Sequence, residues 1–189
     1  MNATIDISNV VLKTERLILR PWAESDLNDF FEYASVDGVG QMAGWCPHKN
    51  IEESKVILNR FISNKRVFAI EYQGKAIGSI GIEEYDENEY IEFASKRCRS
   101  IGYVLSKDYW GQGFMTEAVK EVIKYLFIDV KLDVIICGHF LTNKRSERVQ
   151  EKCGFKHYSY SVYETKFNTF EDEEINTLTK EDYFNSLKM

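Results

Sequence analysis

Apolar positions along the chain change period several times, and each change marks an element. Leu17, Ile18 and Leu19 in ERLILRP form a compact run that Pro21 stops, the pattern of a short strand. Leu27, Phe30, Phe31 and Ala34 then recur at helical spacing, which predicts a helix near 24–33. The following SVDGVGQMAGWCPHKN is rich in breakers and reads as an irregular connection. Val56, Ile57, Phe61 and Ile62 restore a helical face over 52–62. VFAIEY and AIGSIGI, separated by Gln73, Gly74 and Lys75, predict a hairpin. DENEY is a polar break, and IEFASKRCR suits a strand or a loop. IGYVL is a strand whose Gly102 calls for packing or for a close approach of backbone.

The longest periodic stretch follows YWGQGF. Met115, Ala118, Val119, Val122, Ile123, Leu126 and Phe127 fall on one helical face, Lys120, Glu121 and Lys124 fall on the other, and Thr116 suits an early-turn cap. DVIICGHF then reads as a buried strand and NKRSERVQEKCGF as a short helix ended by Gly154. FKHYSYSVYETKF and FEDEEINTL suggest two further strands, and EDYFNSLKM remains an unassigned tail. With no repeat and no linker, the order predicts one domain over 1–189 of the α/β (mixed α+β) class, a mixed sheet with helices on its faces.

Composition narrows the function classes. A chain of 189 residues, 44% hydrophobic and 29% charged, is long enough for one buried core. Its net charge of -6 gives no sign of a general nucleic-acid binder and suits a cationic substrate. The chain holds no apolar run long enough for a membrane span, and Asp6 near its start, without a basic region before it, does not suit a secretory signal. Cys46, Cys98, Cys137 and Cys153 form no C-x-x-C pair, so reduced thiols and a cytoplasmic location are expected. His48, His139 and His157 lack zinc-ligand spacing; no metal is expected, and structural or surface roles suit them.

The chemistry enters in IGYVLSKDYWGQGFMTEAVKEVIKYLF, a strand, a turn holding Gly111 and Gly113, and an amphipathic helix in succession. Glycine permits unusual backbone angles and close approach. Free N–H groups at a helix start bind phosphate through hydrogen bonds and the helix dipole. Neither a P-loop lysine nor the third glycine of a dinucleotide fingerprint is present, which disfavours nucleotide hydrolysis and hydride transfer. On its own the glycine pair is equally a plain turn.

Taken with TERLILRPW and its downstream Asp26, and with Asn143–Lys144–Arg145–Ser146 before EKCGF, this segment resembles the GCN5-related N-acetyltransferase (GNAT) family, in its ribosomal-protein-alanine acetyltransferase-like branch. The resemblance covers approximately 13–160. It implies a central, mostly antiparallel sheet with splayed central strands and flanking helices, and acetyl-CoA as cosubstrate. The pyrophosphate would lie on Gly111, Gln112, Gly113, Phe114, Met115 and Thr116, although Trp110 and Met115 stand where the family pattern has a polar and a small residue. The pantetheine arm would run along the backbone of Tyr103, Val104 and Leu105, with an N–H near Val104 or Leu105 at the acyl oxygen. Asn143 would contact the arm or cap the helix that follows it.

For catalysis the resemblance offers Ser146, which in some relatives lies near the CoA sulfur; Tyr103 and Tyr109 are competing hydroxyl donors. The family's usual base position holds Ser100, so Glu92 is the candidate replacement, while Tyr90, Glu83 and Glu84 are candidates to line the acceptor pocket. The implied reaction transfers an acetyl group to a primary amine, a protein N-terminal α-amine or a small polyamine. The alternative is a noncatalytic acyl-CoA-binding or regulatory domain that kept the fold. The resemblance also implies a homodimer, and the charge and the lack of a long apolar run lead us to expect no direct nucleic-acid or membrane partner.

Overall fold

The computed structural model describes residues 1–188. Eight strands form one sheet in the order β1 (Leu12–Lys13), β2 (Ile18–Pro21), β3 (Val67–Tyr72), β4 (Lys75–Glu83), β5 (Cys98–Leu105), β6 (Val134–Phe140), β8 (Phe170–Thr179) and β7 (Lys156–Glu164). Every neighbouring pair is antiparallel except β5–β6. The helices are α1 (Leu27–Ala34), α2 (Ile51–Asn64), α3 (Phe114–Ile128), α4 (Lys144–Lys152) and α5 (Lys180–Ser186). This is the mixed, mostly antiparallel architecture that the hydrophobic pattern and the resemblance imply.

Strand alternation divides the core between the two faces of the sheet. Phe68, Ile70, Ile101, Ile135 and Cys137 face α3, whose Ala118, Val119, Val122, Ile123, Leu126 and Phe127 are fully covered. Burial of each large side chain contributes about 1.5–3 kcal/mol, so this stripe anchors the helix on the sheet. Val67 and Ala69 face the other way, toward Trp22, Phe30, Tyr33 and Leu58 of the α1–α2 layer. A third cluster of Tyr85, Phe93, Val134, Ile136 and Ile175 covers the same side of β6 and β8.

Several boundaries differ from the sequence reading, each for a local reason. The β3–β4 turn has two residues, Gln73 and Gly74, both at positive φ (51° and 81°), and Lys75 already pairs with Tyr72. The segment after DENEY is a short 3-10 turn over Ile91–Phe93, and the strand begins at Cys98. Gly113 at φ 82° precedes α3, so Thr116 sits inside the first turn and caps nothing. The tail contains α5, capped by the Thr179 side chain on Asp182 N–H; Met189 lies outside the described residues. No helix among the described residues is long and apolar enough to cross a membrane.

Candidate functional site

Strands β5 and β6 pair only at Cys98–Val134, Arg99–Ile135 and Ser100–Ile136, and then part. Two residues beyond the last pair stand Gly102 on β5 and Gly138 on β6, both exposed. A Cβ added at Gly102 would meet no atom within 4 Å. These two glycines flank a cleft of ≈ 640 Å³ that opens through the sheet and runs to the start of α3.

The β5 edge of the cleft carries free backbone groups. Ser106 N–H bonds to Ile77 O on β4, and alternation along an antiparallel ladder turns Val104 to β4 as well. Tyr103 and Leu105 therefore direct their N–H groups to the open side. Of the two N–H groups expected near the acyl oxygen, the geometry retains Leu105 and commits Val104 to the ladder.

At the end of β5 the loop reaches the helix start through two left-handed glycines, Gly111 (φ 75°) and Gly113 (φ 82°). Glu117 N–H is the first to bond back, to Gly113 O, so the N–H groups ahead of it belong to the unpaired first turn. Gly111, Gly113, Phe114, Met115 and Thr116 line the cleft. The side chains of Phe114 and Met115 are buried in the core, which explains why a large residue is tolerated at 115: only its backbone is needed at the surface. Gln112 is not a lining residue; its amide donates to Asp108 O (2.9 Å) and its carbonyl accepts from Arg16 Nη1 (3.1 Å). Trp110 Nε1 donates to Leu105 O (2.8 Å), tying the loop to the strand, and its ring lies under the Arg145 guanidinium at 4.4 Å.

On the α4 side the structure brings Tyr103 and Ser146 together, Oη to Oγ at 2.8 Å. Asn143 caps α4, its Oδ1 accepting from Ser146 N–H (3.2 Å), and Asn143 also lines the cleft. Gln150 Nε2 donates to Gly138 O (3.0 Å) and to Ser146 Oγ (3.3 Å). The Gly138 carbonyl can only accept, which fixes the orientation of the Gln150 amide. Gln150 Oε1 accepts in turn from Asn176 Nδ2 (2.9 Å), whose amide also faces His139 Nδ1 (3.5 Å). His139 Nε2 lies 3.8 Å from a Glu174 oxygen and is grouped with the Glu147 carboxylate. Ser146 Oγ accepts from Gln150, and in its contact with Tyr103 Oη either hydroxyl can be the donor. Burial holds the Tyr103 hydroxyl well above its ordinary pKa, so it stays protonated.

The opposite face of the cleft is acidic and aromatic. Glu84, Asp86, Glu89, Tyr90 and Glu173 line it, with Ser100 at the bottom. Glu84 is paired to Arg66 (2.6 Å) and Arg99 (3.4 Å). Glu83 is not a lining residue, and Tyr109 packs edge-on against Tyr72 and Phe114. The structure does not bring Glu92 into this cleft. Its carboxylate is exposed and accepts from Tyr158 Oη, a bond that lowers its pKa. Burial raises the pKa of Cys98 and Cys153 to about 12 and of Cys137 further, in line with ordinary packing roles. His48 is buried against Ser54 Oγ (2.7 Å) and His157 is exposed beside Glu174 (2.9 Å).

Sequence reasoning missed two groups. Arg145, Arg148 and Lys152 recur at three- and four-residue spacing on α4 and line the cleft, a periodicity that was readable. Glu173 enters only through the β6–β8 register, which no local pattern shows.

Comparison with known proteins bears on the family and the fold. A family model described as Acetyltransferase (GNAT) domain matches residues 16–156. A Bacillus subtilis (strain 168) protein named Uncharacterized N-acetyltransferase YoaA is 33% identical over 153 residues, covering 77% of this chain and 82% of the relative. The crystal structure of an acetyltransferase (GNAT family) from Bacillus anthracis superposes with a TM-score of 0.79 at 24% identity, covering 91% of this chain and 99% of that one. Spermidine N-acetyltransferase from Vibrio cholerae, solved with CoA and spermine, gives 0.73 at 21% identity, covering 90% and 99%.

Proposed function

The chain belongs to the acetyltransferase (GNAT) family, and from that premise we propose that this acetyl-CoA-dependent enzyme acetylates a primary amine, a protein N-terminal α-amine or a small polyamine, across the gap between β5 and β6. The observation that carries the reading is the parted strand pair, whose open backbone edge leads straight to the unpaired first turn of α3.

The residues present fit the cosubstrate. Open space beside Gly111 and Gly102 admits a chain against backbone, and the first turn of α3 presents N–H groups to a pyrophosphate. Arg145, Arg148 and Lys152 add positive charge along the same wall. Asn143, half-buried at the start of α4, accepts from Ser146 N–H and donates Nδ2 to Met42 O (3.3 Å), and its second N–H is the group it offers to the pantetheine arm. Bound acetyl-CoA supplies the activated acetyl group. Leu105 N–H, directed into the gap, is placed to hold negative charge on the acyl oxygen. The Ser146 hydroxyl, with Tyr103 beside it, is placed to donate a proton to the departing sulfur. The acidic face receives a cationic acceptor, and an α-amine, with an ordinary pKa of about 8, is deprotonated more easily than an alkylamine near 10.

Within the family, the ribosomal-protein-alanine branch is the reading that TERLILRPW and NKRS support. One domain over 1–189 and a cytoplasmic location complete the proposal. A homodimer is supported by the exposed Tyr160, Val162 and Phe170 of the β7–β8 hairpin. The test is a thiol-release assay with acetyl-CoA and separate peptide, polyamine and aminoglycoside panels. One acetyl added to one acceptor, read by product mass, supports the reading. Tight CoA binding without turnover across all three panels would instead favour a binding module.

A further inference from the structure

The missing carboxylate at position 100 leaves the enzyme without an evident proton acceptor at the β5 edge, and the other side of the gap holds one. Glu173 lies on β8 opposite Phe140 of β6, on the same face as Ile175, and lines the cleft. Its carboxylate leans back along β6: a Cβ built on Gly138 would stand 3.2 Å from Glu173 Oε2 and 3.0 Å from Ile175 Cδ1. A side chain at Gly138 would crowd both Ile175 and Glu173 by a few tenths of an ångström, which places the Glu173 carboxylate against the β6 backbone at the level where β5 and β6 part.

We propose that Glu173 is the catalytic base of this cleft, receiving the proton of a primary alkylammonium acceptor held on the acidic face. The inference rests on the acetyltransferase reading and deepens it. The groups bearing on Glu173 are few. Ser161 Oγ on β7 donates to Oε1 at 3.1 Å, Glu89 and Tyr90 face it from the loop after β4, and β6 contributes only Gly138 and Phe140. Half-burial, with the like charge of Glu89, raises its pKa above the ordinary glutamate value, whereas that of Glu92 is lowered. A carboxylate tuned upward is the better proton acceptor near neutral pH.

The proton balance closes without another reagent. The ammonium gives one proton to Glu173, and the nitrogen lone pair forms the N–C bond as the C–S bond breaks. The electron pair of that bond leaves on sulfur. The sulfur takes up one proton, donated by the Ser146 hydroxyl, which recovers it from the second N–H of the acceptor. Glu173 then releases its proton to water, so each turnover yields one amide, one thiol and one free proton.

The experiment compares the full-length protein with E173Q, using spermidine, an alanine-initiated peptide and hydroxylamine as nucleophiles. For the first two, kcat/KM should fall by about 10²-fold, and the acid limb that reports Glu173 should give way to one set by the acceptor amine's own pKa of about 8 or 10. Hydroxylamine is already neutral near neutral pH and needs no base, so its turnover should persist, and calorimetric CoA affinity should be unchanged. An equal loss with hydroxylamine, or a pH profile for the amine acceptors that is unchanged in E173Q, would overturn the assignment. A second readout does not depend on turnover. In the CoA-bound wild type, the side-chain carboxyl ¹³C signal that E173Q removes should titrate above the ordinary glutamate value; a lower titration rejects the base. If no acceptor supports thiol release, the acetyltransferase reading fails on that result, and the carbon titration still decides Glu173.

Discussion

Tyr103 Oη stands 2.8 Å from Ser146 Oγ, joining β5 to the first turn of α4 across the inner wall of the cleft. The Gln150 amide, itself fixed by Gly138 O, holds the serine oxygen from the other side. The serine is thereby positioned as a donor, which an isolated surface serine is not.

Replacing Ser146 by Ala should lower kcat by about 10²-fold while CoA affinity changes little, because the helix cap uses the Ser146 backbone N–H and not its hydroxyl. Tyr103→Phe combined with Ser146→Ala should cost less than the sum of the two single changes, since the residues act as one unit. Steady-state kinetics with calorimetry on the same samples checks both. A matching loss of CoA affinity, with unchanged turnover of bound complex, would reject the role.

Gly102 and Gly113 separate two effects that glycine substitutions usually confound. Ala at 102 meets no atom within 4 Å and occupies an ordinary strand position, so the melting temperature should hold or rise slightly. Its methyl group enters the cleft and should weaken CoA binding about tenfold, equivalent to about 1.4 kcal/mol. Ala at 113 must adopt φ 82°, which costs roughly 1–2 kcal/mol, so stability and CoA affinity should both fall. Calorimetric titration beside thermal melts distinguishes the pair.

Arg20 joins two layers of the fold. Its guanidinium meets both Asp26 oxygens at 2.7 and 2.8 Å and a Glu71 oxygen at 2.5 Å, and Asp26 is nearly buried. Arg20→Met leaves Asp26 uncompensated and should destabilise the chain by about 3 kcal/mol. For a chain of this length that corresponds to a fall of roughly 6–12 °C in Tm, measurable by calorimetry.

The raised pKa of Glu173 carries a stability consequence of definite sign. A carboxyl whose folded-state pKa exceeds its unfolded value favours folding when protonated. That contribution is full below the unfolded value and is lost as pH rises through the folded one. Glu173→Gln should therefore raise Tm near neutral pH, and the gain should vanish below the ordinary glutamate range. Melts of both proteins across that window test it; a gain that grows toward acid pH contradicts the shift.

The parts that were legible in the sequence are local ones. The strand, glycine turn and helix from Ile101 to Phe127 follow from period and breaker residues in one continuous stretch, and the cap at Asn143 from its place before a helical run. The acceptor side was not legible, because it is assembled by pairing between distant strands. Glu173 reaches the gap only through the β6–β8 register, and Glu92 turns toward Tyr158 on a strand 66 residues away. A carboxylate's direction in a 3-10 turn has no sequence signature. The basic row of α4 did have one, at positions 145, 148 and 152.

The carboxylates above Gly138 also bear on how the cleft empties. Acetylation turns one ammonium into a neutral amide, so the attraction of Glu89 and Glu173 for that nitrogen disappears with the chemistry itself. The wall that recruits an incoming amine has no electrostatic hold on the nitrogen it has acetylated. Discrimination between substrate and product is thus written into the charge of the reacting nitrogen.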